Sequence, residues 1–316
     1  MSFVTGLRCV CCGAVYPGRG PMTCPRCGIT GILDVEYDYR AVGRRLTRRA
    51  LERREDFTQW RYRELLPISG RARLPGVAVG WSPLRPAPAL ARDVGVRSLL
   101  LKDDGRNPSA SLKDRASAVG AVKALEARAP VITCASTGNA ASSLAGMAAS
   151  LGLKAIIFVP ERAPEPKLAQ MLIFGATVLR VRGSYAEAWE LCQQSCERWG
   201  WYNRNCAVNP YLVEGKKTVS LEICEQLACP GKVDRAGEIR IRERDVAHHL
   251  AVTRLYGSLK ESHRCADSAV QPCVRKIDAT SDARSGEVQT EVNLLSAQVQ
   301  ISQALTIEDV AVSDIL

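Results

Sequence analysis

The chain has 316 residues, 46% of them hydrophobic, enough to bury one large or two medium-sized cores. No apolar run approaches the roughly 18 residues of a membrane span, and the first residues lack the basic-then-apolar pattern of a signal peptide, since Arg8 and Cys9 already interrupt it. The net charge of +10 leaves a phosphorylated ligand or nucleic acid open as a partner, while 13 cysteines, an odd number scattered through apolar and helical segments, argue against a secreted disulfide framework and for the cytoplasm.

Cys9, Cys12, Cys24 and Cys27 form two C-x2-C knuckles separated by eleven residues. Two such knuckles deliver four thiolates to one tetrahedral zinc, and four sulfurs leave no open coordination position, so the expected ion is structural. Cys11 can replace Cys12 in a second register. Residues 1–38 are therefore expected to form a zinc ribbon-like segment. Residues 40–66 are predicted as one helix, ended by Pro67. Eleven arginines stand against four acids between Arg40 and Arg73. The bland reading is a solvated helix face, and the few aromatic residues among them argue against a single-stranded nucleic-acid platform.

The chain then alternates. Strands are predicted at Leu99–Lys102, Val131–Ala135, Ala155–Pro160 and Thr177–Val181. Helices are predicted at Lys113–Arg128, Asn139–Leu151, Pro166–Phe174, Tyr185–Trp199 and Glu214–Leu227. This order implies an α/β fold, with a parallel sheet covered by helices on both faces. Cys134, Cys192, Cys196 and Cys224 lie in the patterned segments and read as small buried hydrophobes.

Two segments carry chemistry. Residues 107–115 read Asn-Pro-Ser-Ala-Ser-Leu-Lys-Asp-Arg, placing Lys113 in a small-residue loop at the start of a helix. An ordinary lysine amine titrates near 10.4. Imine formation needs the neutral amine, which burial and neighbouring charge favour. Residues 136–140 read Ser-Thr-Gly-Asn-Ala, a turn between a buried strand and a helix, where backbone N–H groups favour an anion. The ordinary alternatives are a surface lysine and a simple capped turn. A lysine amine paired with a carboxylate-binding turn is a pyridoxal phosphate (PLP) site.

These motifs resemble the threonine synthase family, among the tryptophan synthase β-like, fold-type II PLP enzymes. Gly80-Trp81-Ser82-Pro83-Leu84 is similar to its G-x-T-P-L entry segment, with Ser82 for threonine. Residues 109–115 are similar to S-G-S-F-K-D-R, with Ala110 and Leu112 as mild departures. Pro160–Phe174 and Asn209–Thr218 match two further segments, so the resemblance covers about residues 80–227. It implies that Lys113 carries PLP and shuttles protons, that Asn139 bonds the ring hydroxyl, and that Ser136, Thr137 and Gly138 grip the substrate carboxylate. Asn205, Asn209, Lys167 and Arg162 become candidate contacts for a substrate phosphate. Zinc ribbons precede the catalytic domain in some members. The implied reaction converts O-phospho-L-homoserine to L-threonine and phosphate. The partners are then a small amino-acid substrate and a second copy in a homodimer, with no membrane and no nucleic acid. A serine/threonine dehydratase or cysteate synthase-like lyase is the sibling reading. A non-catalytic protein binding a partner or nucleic acid is the reading from a different class.

The resemblance spans an expected α/β domain at 39–227 and stops there. Residues 228–316 hold only Gly231, Gly237, Gly257 and Gly286, never clustered, where the family has a glycine-rich loop for the cofactor phosphate. Arg240–Asp245 is a charge run where a buried strand is expected. His248, His249, His263 and Cys265 are too irregularly spaced to assign a metal. A break this sharp is what a shifted reading frame or alternative exon produces, and it implies a divergent tail and a threonine synthase-like chain inactive in this form.

Overall fold

Val4–Cys9 (β1) pairs antiparallel with Val15–Tyr16 (β2) on one side and Leu33–Tyr37 (β3) on the other. Strand β3 alternates, with Leu33, Val35 and Tyr37 buried and Asp34 and Glu36 turned outward, the period of a half-covered sheet. In this computed structural model residues 2–227 are described, together with the backbone of two short strands at Lys232–Val233 and Ile239–Arg240. Apart from those two strands, the divergent tail expected from residue 228, with His248, His249, His263 and Cys265, lies outside the described residues.

The helix expected over 40–66 is three shorter pieces. Tyr39–Arg45 (α1) is capped by Asp38, which accepts from Ala41 N–H. Arg48–Glu52 (α2) is capped by Thr47, which accepts from Ala50 N–H. A 3-10 stretch at Gln59–Leu65 is capped by Thr58. Each cap offers the backbone a local partner that ends the preceding helix, a competition the hydrophobic pattern conceals. The arginines are not all solvated either. Arg61 is 3% exposed and bonds Glu225 at 2.5 Å, and Arg54 bonds Glu64 at 2.5 Å.

Leu84–Pro86 (β4) leads to a short helix, Pro88–Asp93 (α3), and pairs antiparallel with Leu100–Lys102 (β5). The main sheet follows. Lys113–Glu126 (α4) precedes Val131–Ala135 (β6), and then come Asn139–Leu151 (α5), Lys154–Pro160 (β7), Glu165–Ile173 (α6), Thr177–Val181 (β8), Tyr185–Trp199 (α7) and Tyr202–Asn203 (β9). The strand order is β8-β7-β6-β9, all parallel. Strand β6 is buried at all five residues, as a strand covered on both faces must be. Its odd and even residues go to different cores. Val131 and Ala135 pack with Ile156, Phe158, Ala188 and Cys192 beneath α7. Ile132 and Cys134 join the larger core that includes Val119, Val122, Leu144 and Met147 of α4 and α5, and also Leu7, Leu33 and Tyr37 of the three-stranded sheet.

Tyr211–Lys216 (α8) and Thr218–Gln226 (α9) close the described fold, in place of the single helix expected at 214–227. No helix among the described residues is long and apolar enough to cross a membrane.

Candidate active site at the edge of the parallel sheet

The chain runs from β6 to β7 to β8 on one side, and β9 lies on the other side of β6. The strand order therefore reverses between β6 and β9. In open α/β sheets, ligands bind outside the carboxyl ends of the strands at such a switch point. The Ser136–Gly138 turn leads there, and Lys113 feels the charges of Arg204 and Cys206 at the neighbouring exit. Ser136–Gly138 leaves the end of β6, and Arg204–Cys206 leaves the end of β9. Ala135 N–H donates to Asn205 Oδ1 at 3.0 Å and ties the two exits together.

Lys113 is the first residue of α4 and is half-buried. Its two neighbours lock it in place. Asp114, fully buried, accepts from Ser109 N–H at 2.7 Å and Ser109 Oγ at 2.6 Å, closing the loop in front of the lysine. Arg115, also fully buried, donates to Asp104 at 2.8 Å and to Glu222 at 2.5 and 2.8 Å. Ser82 Oγ donates to the same Asp104 at 2.5 Å, and Lys102 pairs with Glu222 at 2.8 Å. The entry segment, the lysine loop and α9 are thus one polar cluster.

Ala110 stands in that loop at φ +55°, in the left-handed region that favours glycine. The departure from the family's glycine, mild by sequence, therefore places a Cβ in a strained conformation.

Burial lowers the Lys113 amine below its ordinary value, and the positive charges of Lys216 and Arg204 push the same way against the opposing pull of Cys206. Lys216 Nζ and Arg204 Nη1 each lie 3.5 Å from Cys206 Sγ. Arg204 is 1% exposed, and its remaining bonds go to Ser117 Oγ at 3.1 and 3.0 Å. The sequence reading missed Arg204, Cys206 and Lys216. Arg204 and Lys216 reach Cys206 within one segment, from the end of β9 to the end of α8, and the packing of α8 against α4 sets this group beside Lys113.

At the other exit, Ser136, Thr137 and Gly138 are half-buried, and α5 begins with no side chain capping it. Its first N–H groups are thus open to an anion. Asn139 is exposed, and its Oδ1 accepts from Lys167 Nζ at 2.8 Å. Lys113 and the Ser136–Asn139 turn share no hydrogen bond. Of the candidate phosphate contacts, Asn205 and Asn209 are buried and engaged by backbone. Asn209 Nδ2 donates to Asn203 O at 2.7 Å, and its Oδ1 accepts from Tyr211 N–H at 3.0 Å. Arg162 is exposed beyond the end of β7.

In the three-stranded sheet, the ligand atoms of Cys9, Cys12, Cys24 and Cys27 all lie within 4.8 Å of one another. Cys12 Sγ and Cys24 Sγ are 3.6 Å apart, close to the roughly 3.8 Å separating sulfurs on a tetrahedral zinc with about 2.3 Å bonds. Cys11 N–H points at Cys9 Sγ at 3.4 Å, and the Tyr16 hydroxyl lies 3.1 Å from Cys24 Sγ. Cys11 Sγ instead turns to Thr30 O at 3.2 Å, which decides the register for Cys12. The donor set fits zinc.

The fold and the lysine site together define a class. The sequence pattern of the pyridoxal-phosphate dependent enzymes matches residues 77–236, and the chain belongs to that family. The relatives include the threonine synthase of Methanocaldococcus jannaschii, 36% identical over 221 residues, which cover 70% of this chain and 54% of that protein. The threonine synthase of Methanosarcina acetivorans is 37% identical over 223 residues, covering 70% and 53%. Among solved structures, maize serine racemase aligns with a TM-score of 0.44 at 23% identity, covering 46% of this chain and 45% of that one. The chain spans about half the length of the curated relatives it matches.

Proposed function

We propose that this chain carries the lysine half of a threonine synthase-like site, built to act on O-phospho-L-homoserine and release L-threonine and phosphate. The observation that carries the reading is the convergence, at the reversal of the parallel sheet, of a half-buried lysine with a depressed amine and an uncapped helix start. PLP, when bound, supplies the electron sink that stabilises negative charge on substrate carbons.

The chain's own residues do the rest. The Lys113 amine holds the cofactor and moves protons at substrate carbons, and its lowered affinity for a proton favours both roles. Ser136, Thr137 and Gly138 take the substrate carboxylate on the open N–H groups of α5. Asn139 takes the ring hydroxyl, sharing its Oδ1 with Lys167. Arg204 and Lys216, which have no carboxylate hydrogen-bond partner among the described residues, supply positive charge for the substrate phosphate. Cys9, Cys12, Cys24 and Cys27 hold a structural zinc. The proposal includes the division into residues 1–38, 39–227 and 228–316, a homodimer and a cytoplasmic location. The cofactor's phosphate cradle, absent from the tail by sequence, is the part this chain does not supply, so activity in this form is expected to be low.

The deciding experiment is the visible absorbance of purified chain given PLP, repeated with Lys113→Ala. A lysine-bound band that disappears in the variant supports the reading, and turnover of O-phosphohomoserine then tests the substrate. A well-folded chain with no such band overturns it.

A further inference from the structure

Cys206 is a half-buried thiol at the end of β9, and the charges around it come from three separate elements. Arg204 on its own segment donates Nη1 to the sulfur at 3.5 Å. Lys216 at the end of α8 reaches it with Nζ, also at 3.5 Å. Lys113 at the start of α4 adds a third positive charge. The group facing it from β6 is the buried thiol of Cys134, which burial pushes up to about 12 and keeps neutral. Among the described residues no carboxylate bonds Arg204 or Lys216, and the Cys206 sulfur is the group that both cations contact. Burial opposes ionisation of Cys206, but Arg204, Lys216 and Lys113 together bring it down to about 7.

We propose that Cys206 is a redox modification site, a nucleophilic thiol that reacts with small peroxides beside Lys113. In the reaction, the Cys206 thiolate sulfur attacks one oxygen of hydrogen peroxide and the O–O bond breaks. The second oxygen leaves as hydroxide, which a buffer acid protonates to water. The sulfur loses two electrons to become a sulfenic acid, and the peroxide gains them. The added oxygen sits among the amines of Lys216 and Lys113 and the guanidinium of Arg204, so oxidation changes the charge and the room at the lysine. Two low-molecular-weight thiols reverse the oxidation: the first condenses with the sulfenic acid to a mixed disulfide and releases water, and the second displaces the Cys206 thiolate and leaves as a low-molecular-weight disulfide.

This site does not depend on the cofactor reading, because the thiol and its cations belong to the chain itself. The test is alkylation of the full-length chain by iodoacetamide across pH 5–10 (roughly the span bracketing ordinary thiol titration), followed residue by residue by peptide mass spectrometry. A parallel sample treated with hydrogen peroxide is trapped with a sulfenic-acid probe. Cys206 is expected to reach half its maximal rate near pH 7, against about 8.5 for an ordinary thiol. It should also take the sulfenic-acid probe ahead of Cys134 and Cys192. Lys216→Gln should slow Cys206 alkylation at neutral pH by severalfold, up to about tenfold, and Lys216→Arg should restore it. A half-point at or above the ordinary value, or no sulfenic acid at Cys206 in folded protein, overturns the proposal. If Lys216→Gln does not fold, the profile of the unmodified chain decides alone.

Discussion

Gly215 lies so close to the backbone of Arg115 that a Cβ there would stand 2.1 Å from the Arg115 carbonyl oxygen and 3.1 Å from Ala116 Cα. Helix α8 therefore packs on α4 without an intervening side chain, and this contact carries Lys216 to the lysine loop. One turn further along α4, a Cβ at Gly120 would stand 2.8 Å from the Leu212 side chain. Gly215→Ala is expected to separate the two helices, because the clashing atom is backbone and cannot rotate away. The cost should reach or exceed about 3 kcal/mol, the upper end for overpacked cores. Gly43→Ala, in an open position of α1, should instead stabilise by roughly 0.5–1 kcal/mol. Thermal unfolding of the two variants checks both signs, and a harmless Gly215→Ala would refute the close contact.

Much of this was legible in the sequence where one physical signal dominated. Val131–Ala135 is apolar at every position but Thr133, and the helices around it are long and periodic. The cysteine spacing named the four sulfurs. What escaped depended on contacts across the fold or on caps that interrupt a periodic pattern. Thr47 and Thr58 split the arginine-rich stretch while leaving its composition helical. The spacing leaves Cys11 as an alternative to Cys12, and the turn after β1 separates them, with Cys12 beside Cys24 and Cys11 turned to Thr30 O. Lys216 is brought toward Lys113 through the contact of Gly215 with Arg115, a relationship between residues far apart in the chain that no local pattern encodes.

Ala110 offers a gain of stability at the site itself. A non-glycine residue in the left-handed region costs about 1–2 kcal/mol relative to glycine. At φ +55° Ala110 carries that strain directly before Ser111 and Lys113. Ala110→Gly is expected to raise stability by about 1 kcal/mol, offset in part by the greater freedom of glycine in the unfolded chain. Chemical denaturation measures it, and a destabilised variant would mean that the loop takes another conformation.

The Arg115 cluster sets an acid limit. Burial pushes the Asp104 carboxyl up, but the Arg115 guanidinium outweighs it and holds the group below its ordinary value. A carboxylate depressed in the folded state contributes stability that is present above about pH 4, its unfolded value, and is lost as pH falls through the lower folded value. Asp104→Asn should lower stability at neutral pH by about 1.5–3 kcal/mol, the worth of hydrogen bonds to a charged group. It should also flatten the loss on the acid side. Unfolding free energies measured from pH 7 down to about pH 2 test this, and parallel curves for variant and parent would exclude Asp104 as the titrating partner.

The knuckles make a metal prediction that separates two neighbouring cysteines. Cys12 Sγ is 3.6 Å from Cys24 Sγ, whereas Cys11 Sγ is turned to Thr30 O. Purified chain should contain about one zinc per molecule. Cys12→Ser should lose it or bind it much more weakly, and Cys11→Ser should retain it. Chelation should unfold the three-stranded sheet, and the disturbance should reach the main core, because Leu7 and Leu33 belong to the same cluster as Val119 and Val122. Metal analysis of the two serine variants decides the register, and zinc retained by Cys12→Ser would reassign it.

The last prediction concerns the proton on Lys113. Burial comes first in lowering its affinity for a proton, and the positive charge of Lys216 adds to it. Removing that charge must move the amine back toward the ordinary value, because the protonated form no longer faces a like charge. Competitive labelling with acetic anhydride, read at the Lys113 peptide across alkaline pH, reports the neutral fraction without any cofactor. In the unmodified chain the neutral amine should appear at lower pH than in an exposed reference such as Lys154. In Lys216→Gln the Lys113 profile should move upward while Lys154 stays fixed. Arg204→Gln should move it the same way, though losing the bonds to Ser117 makes that variant the more disruptive one. A Lys113 profile indifferent to Lys216 would mean that α8 does not bring its charge to the lysine. The amine would then be set by burial together with Arg204, against the pull of Cys206.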